Sequence, residues 1–384
     1  MRTRETLELL EKQTLLPYAT VCPESQGRLY PEKEHPYRTA FQRDRDRIVH
    51  TSAFRRLEYK TQVFVNHEGD YYRTRLTHSL EVSQIGRTMA RALGVNENLT
   101  ESICLAHDLG HTPFGHSGQD VIKTLMKQYG GFEHNKQSFR IVTKLEKPYP
   151  YFPGLNLTYE VLEGITKHAS EYDMPDGSLF IKTGYPTIEA QIANFADEIA
   201  YNNHDLDDGL QSGLICFDDL KSVSIWQNTY KRIAGEYANL SQKQIRRLMI
   251  RAIIGFFVTD VMNNTQKQIE ELNIKTLTDV RKQGKNLVMY SDEATAMNIE
   301  LKKFLFEKLY RHYRVERMAE KAKKVLTELF NTYMNNPNII PPDFKDSYEE
   351  GEPVERIVCD YIAGMTDRYA LDEYSKLFDP HAKV

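Results

Sequence analysis

The 384 residues predict an all-α protein with one small β-hairpin. Three observations carry that expectation: apolar residues recur at helical spacing over most of the chain, Pro and Gly gather in a few connections, and no stretch sustains the two-residue alternation of a large sheet. A composition that is 40% hydrophobic and 27% charged supports a sizeable core in one large domain or two moderate ones. A formal charge of −4 argues against a dedicated nucleic-acid coat protein, so any phosphate must be met by local cations. The N-terminal MRTRETLELLEKQTLLPYA is interrupted by charges where a signal peptide has its apolar stretch, and no later run approaches the ~18 apolar residues of a membrane span. A cytoplasmic location without a membrane partner is therefore expected. Cys22, Cys104, Cys216 and Cys359 have neither metal nor redox spacing and read as reduced thiols.

Taken in order, residues 1–60 read as an Arg-rich helical segment that includes Arg43, Arg45, Arg47, Arg55 and Arg56. Val63 to Tyr72 can form the small hairpin. Next comes a helix on which His78, Val82, Ile85 and Met89 follow at spacings of four, three and four, which is one helical face and turns His78 inward. A second helix is expected to start near Thr100 as N-cap, to present Ile103, Ala106 and His107 inward, and to stop at Gly110 ahead of Pro113. That puts His107 and Asp108 in its last turn, where adjacent side chains diverge by about 100° and share a ligand only over the helix end. A third helix sets Ile192, Phe195 and Ile199 on one face, with Ala193, Asp197, Ala200 and Tyr201 beside them and Asp205 a turn further on. A buried Asp among alanines needs a metal ion or an arginine. Residues 145–160 and 173–187 read as loops. After Gly213 the chain turns to long charged helices, Gln242 to Asp260 and Thr295 to Tyr333, and the proline-rich Asn335 to Asp343 leads to a final helix from about Pro353. The expected organisation is thus 1–60, a core over 61–213, and a C-terminal helical region over 214–384.

His78, His107, Asp108 and Asp197 are two imidazoles and two carboxylates, a set that can hold one divalent ion and leave positions for water and a phosphate oxygen. Such a site is that of a phosphohydrolase. A second His-Asp dipeptide, His204-Asp205, precedes Leu-Asp-Asp-Gly and reads as a polar helix end, which makes it the poorer ligand pair. The run His107-Asp-Leu-Gly-His111 has the outline of a zinc-protease helix, but Gly110 and Thr112-Pro113 stop the helix before its second histidine. Around it lies a polar cluster that a core would not require: His111, His116, Gln119, Glu133 and His134, with Lys167 and His168 further on. Histidines there can donate or accept protons near neutral pH.

Several segments carry a resemblance that runs almost the full length of the chain: Phe41-Gln-Arg-Asp-Arg-Asp-Arg-Ile, Phe54-Arg-Arg-Leu with Lys60-Thr-Gln-Val-Phe, Arg75-Leu-Thr-His-Ser-Leu-Glu-Val, and His107-Asp-Leu-Gly-His-Thr-Pro-Phe-Gly-His. Phe132-Glu-His-Asn, Leu157-Thr-Tyr-Glu-Val-Leu-Glu-Gly-Ile, Ala196-Asp-Glu-Ile-Ala-Tyr and Asp360-Tyr-Ile-Ala-Gly-Met-Thr-Asp-Arg-Tyr-Ala-Leu complete the set. Together they resemble the HD-domain superfamily and, within it, the deoxyguanosinetriphosphate triphosphohydrolase-like proteins. The resemblance implies an HD-domain helical core and hydrolysis of a deoxynucleoside triphosphate, dGTP or several dNTPs, at the α-phosphorus to deoxynucleoside and tripolyphosphate. It implies His78, His107, Asp108 and Asp197 as ligands of Mn²⁺, Fe²⁺, Mg²⁺, Ni²⁺ or Zn²⁺, His116 as acid/base with His134 completing its proton network, and His111 near the phosphate. Arg75 and Lys167 would meet phosphate oxygens, Gln62 and Asp205 the sugar 3′-hydroxyl, and Tyr201 the deoxyribose. A homo-oligomer, tetramer or hexamer, with a dNTP activator and single-stranded DNA as further partners, belongs to the same expectation. One position departs: where the resemblance implies an acid three residues after His116, this chain has Gln119, which neither accepts a proton nor stabilises an imidazolium by charge. Two alternatives stay open, an HD phosphohydrolase of another nucleotide and a nucleotide- or single-stranded-DNA-binding sensor with weakened catalysis.

Overall fold

A computed structural model describes residues 1–62, 73–168, 184–345, 348 and 351–383. Among these residues the chain forms seventeen α-helices joined by short 3₁₀ and π turns. No sheet accompanies them; the only β pairing among the described residues is two isolated bridges, Arg28 with Thr158 and Thr61 with Thr74. The all-α expectation holds. The expected hairpin at Val63 to Tyr72, and most of the 173–187 loop, lie outside the described residues.

The helices gather into two compact units, each discontinuous in sequence: Met1–Ile48 with His78–Leu105 and Asn156–His312, and Val49–Thr77 with Ala106–Leu155 and Tyr313–Val384. In the first unit the central element is the helix Ile188–Gln211, opened by the Thr187 hydroxyl, which accepts from the Ala190 amide. It packs against Tyr159–Thr166, Gln242–Glu271 and Asp292–Leu305. Gln242–Glu271 begins in a capping box between Ser241 and Gln244 and buries Met249, Ile253, Phe257 and Val261, one apolar stripe at a spacing of four. It runs a further eleven residues beyond the expected end at Asp260. Gly164 shows how tightly this unit is built, since a Cβ there would stand 2.4 Å from Ile103 Cδ1.

Buried ion pairs tie the N-terminal segment to this unit. Arg28 donates to the fully buried Asp44, which also accepts from the Thr158 amide at 2.9 Å, while Arg47 forks onto Glu32 with both contacts at 2.8 Å. Arg43 pairs with Glu34 and Arg45 with Asp46. The arginines of 28–47 are thus engaged with acids of the same chain.

The second unit packs Tyr313–Asn335 against Gly115–Leu125, Val354–Ala363 and Asp367–Phe378. Val325, Leu326, Leu329, Phe330 and Tyr333 form the buried stripe of the longest of these, facing Ile122, Met126 and Ile362. Two expectations are corrected here. Thr295 to Tyr333 is not one helix: Asp292–Leu305 passes into a π turn, Phe306–Tyr310, and a new helix begins at Tyr313. The final helix from Pro353 is two, Val354–Ala363 and Asp367–Phe378, divided at Gly364.

Candidate active site

In the first unit the helix Arg75–Ala92 supplies His78, 1% exposed, above the buried Val82, Ile85 and Met89. The helix Ile188–Gln211 supplies Asp197. His78 Nε2 lies 2.9 Å from Asp197 Oδ1, and Asp197 Oδ2 lies 3.2 Å from the Nε2 of buried His168. For metal–ligand bonds of ~2.1 Å, neighbouring donors on one octahedral ion stand √2 times that apart, ~3.0 Å. The His78–Asp197 pair therefore has the spacing of two donors to a common cation.

Further along Ile188–Gln211 stand Tyr201, His204 and Asp205. Asp205 is buried and accepts from the Tyr310 hydroxyl, whose proton is held far more tightly than usual, first by burial and then by the Asp205 charge. The Tyr201 ring sits 6.4 Å from that of Tyr310. His204 is not at a polar helix end as expected; it lies inside a 24-residue helix and is fully buried. Its Nδ1 is 3.1 Å from His78 Nδ1 and its Nε2 is 2.5 Å from Glu81 Oε2. Lys167 Nζ donates to Glu163 at 2.8 Å and to the Gly184 carbonyl at 2.7 Å, and Arg281 forks onto the same Glu163.

In the second unit the geometry of His107 and Asp108 differs from expectation. Their helix is Glu97–Ala106: Asn96, rather than Thr100, opens it, its Oδ1 accepting from the Asn98 and Leu99 amides. It ends before the pair, which falls in the following turn. Outside helical geometry the adjacent side chains turn toward each other, and His107 Nε2 comes 3.4 Å from Asp108 Oδ1. Asp108 Oδ1 also meets His111 Nε2 at 3.0 Å, and its Oδ2 accepts from Arg75 Nη1 at 3.1 Å. Burial by itself would raise the Asp108 carboxyl, but His107, the Arg75 guanidinium and the hydrogen bond from His111 hold it well below the usual carboxylate range. His111 is driven the other way, first by burial and then by Arg75 and His134, and stays neutral.

Gly110 lets the turn approach its neighbour. A Cβ there would stand 2.1 Å from the His134 carbonyl oxygen and 2.3 Å from the Ser138 nitrogen. In its absence the Gly110 amide donates to Ser138 Oγ, which donates to the His107 carbonyl. The approach stacks His111 on His134, centroids 4.0 Å apart, with His116 edge-on to His111 at 5.7 Å. Gln119, one turn into the helix Gly115–Leu125, places Oε1 2.8 Å from His134 Nδ1. Glu133 caps the helix His134–Arg140, accepting from the Asn135 and Lys136 amides. Below the turn, buried Lys60 donates to the carbonyls of His111 at 2.5 Å and Ala363 at 2.8 Å, and burial brings its ammonium down to about 7.

Arg75 and Gln62 both border Gly115: a Cβ on that glycine would lie 3.4 Å from Arg75 Nη2 and 3.2 Å from the Gln62 carbonyl. Arg75 is 1% exposed, yet among the described residues only its Nη1 is matched; Nε and Nη2 have no hydrogen-bond partner there, nor do Gln62 Oε1 and His111 Nδ1. Each such buried group costs on the order of 1–3 kcal/mol unless something answers it.

Sequence reasoning passed over Glu81 and Lys60 and set His204 aside. The signal for two of them was present: Glu81 follows His78 by three residues and His204 follows Asp197 by seven, each on the face of its own helix that carries the ligand.

Comparison with known proteins agrees with this architecture. The HD-domain family model matches residues 75–202 and the phosphohydrolase-associated domain model matches 288–376, which defines an HD phosphohydrolase. Deoxyguanosinetriphosphate triphosphohydrolase-like proteins of Geobacter metallireducens and Geobacter sulfurreducens are 54% identical over 97% of both chains and 53% identical over 100% of both chains. That of Leptospira interrogans is 47% identical over 98% of this chain and 99% of its own. The chain belongs to the family of deoxyguanosinetriphosphate triphosphohydrolase-like proteins.

Proposed function

We propose that the protein hydrolyses deoxynucleoside triphosphates, dGTP or several of the four, to deoxynucleoside and tripolyphosphate, using one divalent ion held by His78, His107, Asp108 and Asp197. The family's name and the unanswered buried donors of Arg75 support this reading, and the latter observation carries it. His78 and Asp197, 2.9 Å apart, have the spacing of two donors to one cation, and the low-lying Asp108 carboxyl remains ionised. Such an ion acidifies a bound water and polarises a phosphate oxygen; Mn²⁺, Fe²⁺, Mg²⁺, Ni²⁺ and Zn²⁺ all suit the donors.

The chain's own residues supply the rest. Arg75 Nε and Nη2 form a fork that fits two phosphate oxygens, and Lys167 adds a point charge. His111 donates from Nε2 to Asp108, so its Nδ1 is left as an acceptor beside the phosphate; His134 donates from Nδ1 to Gln119, which leaves Nε2 as an acceptor. His116, edge-on to the His111 ring, carries the proton to or from the reacting oxygens. Gln62 and Asp205 hold the sugar 3′-hydroxyl, with Tyr201 crowding the position a ribose 2′-hydroxyl would take. In this reading residues 61–213 form the phosphohydrolase core, with 1–60 and 214–384 flanking it, and the protein works in the cytoplasm as a tetramer or hexamer open to activation by a dNTP. A single-stranded-DNA role for the N-terminal arginines has little support, because Arg43, Arg45 and Arg47 are committed to acids.

The test is product analysis. Purified protein is incubated with Mn²⁺ and each of the four dNTPs, and the phosphates are separated by ion exchange. Tripolyphosphate is the expected product; pyrophosphate or orthophosphate would assign the site to another nucleotide hydrolysis, and binding without product would make the protein a sensor.

A further inference from the structure

We propose that Glu81 and His204 are positioning residues that fix the tautomer of His78, so that its Nε2 lone pair faces the metal; the inference rests on the metal-binding reading of His78. A histidine binds metal through one ring nitrogen, and a hydrogen bond at the other decides which nitrogen is free. On His78 the metal-facing atom is Nε2, 2.9 Å from Asp197 Oδ1. That assignment puts the proton on Nδ1, 3.1 Å from His204 Nδ1, which must then accept. His204 accordingly carries its own proton on Nε2, where the Glu81 carboxylate stands 2.5 Å away. With a cation shared by His78 Nε2 and Asp197 Oδ1 and both rings neutral, one arrangement of two protons satisfies the two remaining contacts, and it leaves His78 Nε2 unprotonated.

The surroundings suit a fixed relay. The rings cross at 83° with centroids 5.2 Å apart, His204 is fully buried, and Glu81, at 39% side-chain exposure, ends the chain of contacts at the surface. The helix Arg75–Ala92 supplies one ligand and the carboxylate; Ile188–Gln211 supplies the other ligand and the intermediate ring. Through His204, the helix Ile188–Gln211 thus steadies the ligand His78 of its neighbour, and Glu81 steadies His204 in turn.

Mn²⁺ affinity of the full chain, measured by competition with a chelator, tests the relay without reference to turnover. His204→Phe keeps a ring of similar size but cannot accept, and is expected to weaken Mn²⁺ binding about 10- to 100-fold. His204→Gln, whose amide oxygen can accept from His78 Nδ1, should stay within about threefold of the wild type. A role in packing alone predicts the reverse order. Glu81→Ala should weaken binding and Glu81→Gln preserve it, and because Glu81 is partly exposed this pair decides the matter even where His204→Phe does not fold. In ¹⁵N-histidine-labelled protein with Zn²⁺ bound, His204 should be the Nε2–H tautomer in the wild type and lose that preference in Glu81→Ala. Wild-type affinity in both His204→Phe and Glu81→Ala, alongside loss of binding in His78→Ala, overturns the relay. Failure of the wild type to bind Mn²⁺, or unchanged binding in His78→Ala, overturns the metal reading instead, and the proposal with it.

Discussion

At Asp108 burial and its polar neighbours pull in opposite directions, and the neighbours win: a carboxylate deep in the protein stays ionised because His107, the Arg75 guanidinium and a hydrogen bond from His111 surround it. Gln119 is the contrasting residue. Its amide keeps the hydrogen bond that orients His134 but brings no charge to stabilise an imidazolium. Gln119→Glu is expected to raise kcat about tenfold with little change in KM; steady-state kinetics with dGTP would show it, and an unchanged kcat would remove Gln119 from the account of catalysis. Lys60 gives a second residue-level expectation. Burial lowers its folded-state value from 10.5 to about 7. Between those values the unfolded chain holds the proton that the folded chain has lost, so stability rises with pH across that window. The neutral amine still has two N–H groups for the His111 and Ala363 carbonyls. Denaturant unfolding at pH 7 and pH 9 should show the wild type gaining stability over Lys60→Met as pH rises, whereas equal gains would mean that Lys60 stays charged when folded.

At the scale of elements, the site depends on where helices stop. Glu97–Ala106 ends one residue before His107, and the turn that follows can place both acidic and imidazole donors together only because Gly110 lies against the His134–Arg140 helix. Gly110→Ala would drive a Cβ into backbone that cannot yield. A loss of ~1–3 kcal/mol in unfolding free energy is expected, with activity falling further as the His111–His134 stack opens. Thermal unfolding read beside dGTP turnover checks both. The Thr61 amide and Phe114 amide, which both donate to Asp367, hold the other end of the same loop.

For the whole molecule, the net charge is −4 and the arginines of 28–47 pair with acids, so the proposed reading has the substrate's phosphates met locally, at Arg75. No helix among the described residues is long and apolar enough to cross a membrane. A ligand that binds only the folded state stabilises it by ~2.7 kcal/mol at a hundred times its Kd. Mn²⁺ with a non-hydrolysable dNTP analogue should therefore raise Tm by several degrees, EDTA should reverse the rise, and Arg75→Ala should blunt the nucleotide's share. An unchanged Tm in scanning fluorimetry would count against the ligand cradle.

Periodicity and punctuation in the chain were enough to establish an all-α protein and the inward face of His78; they placed the helix stop at Gly110 about a turn too late and left the donor set at 78, 107, 108 and 197 as a proposal. These follow from local physics, namely 3.6-residue spacing, the backbone freedom of glycine and the need of a buried carboxylate for a cation. The tertiary structure decided what depends on partners far apart in sequence: that Asn96 opens the second helix, that a π turn interrupts the helix expected from Thr295, that His204 is a buried partner of His78, and that Lys60 lies beneath the histidine turn. Burial and hydrogen-bond pairing are properties of the packed chain, and no spacing along the sequence encodes which ring nitrogen faces which acid.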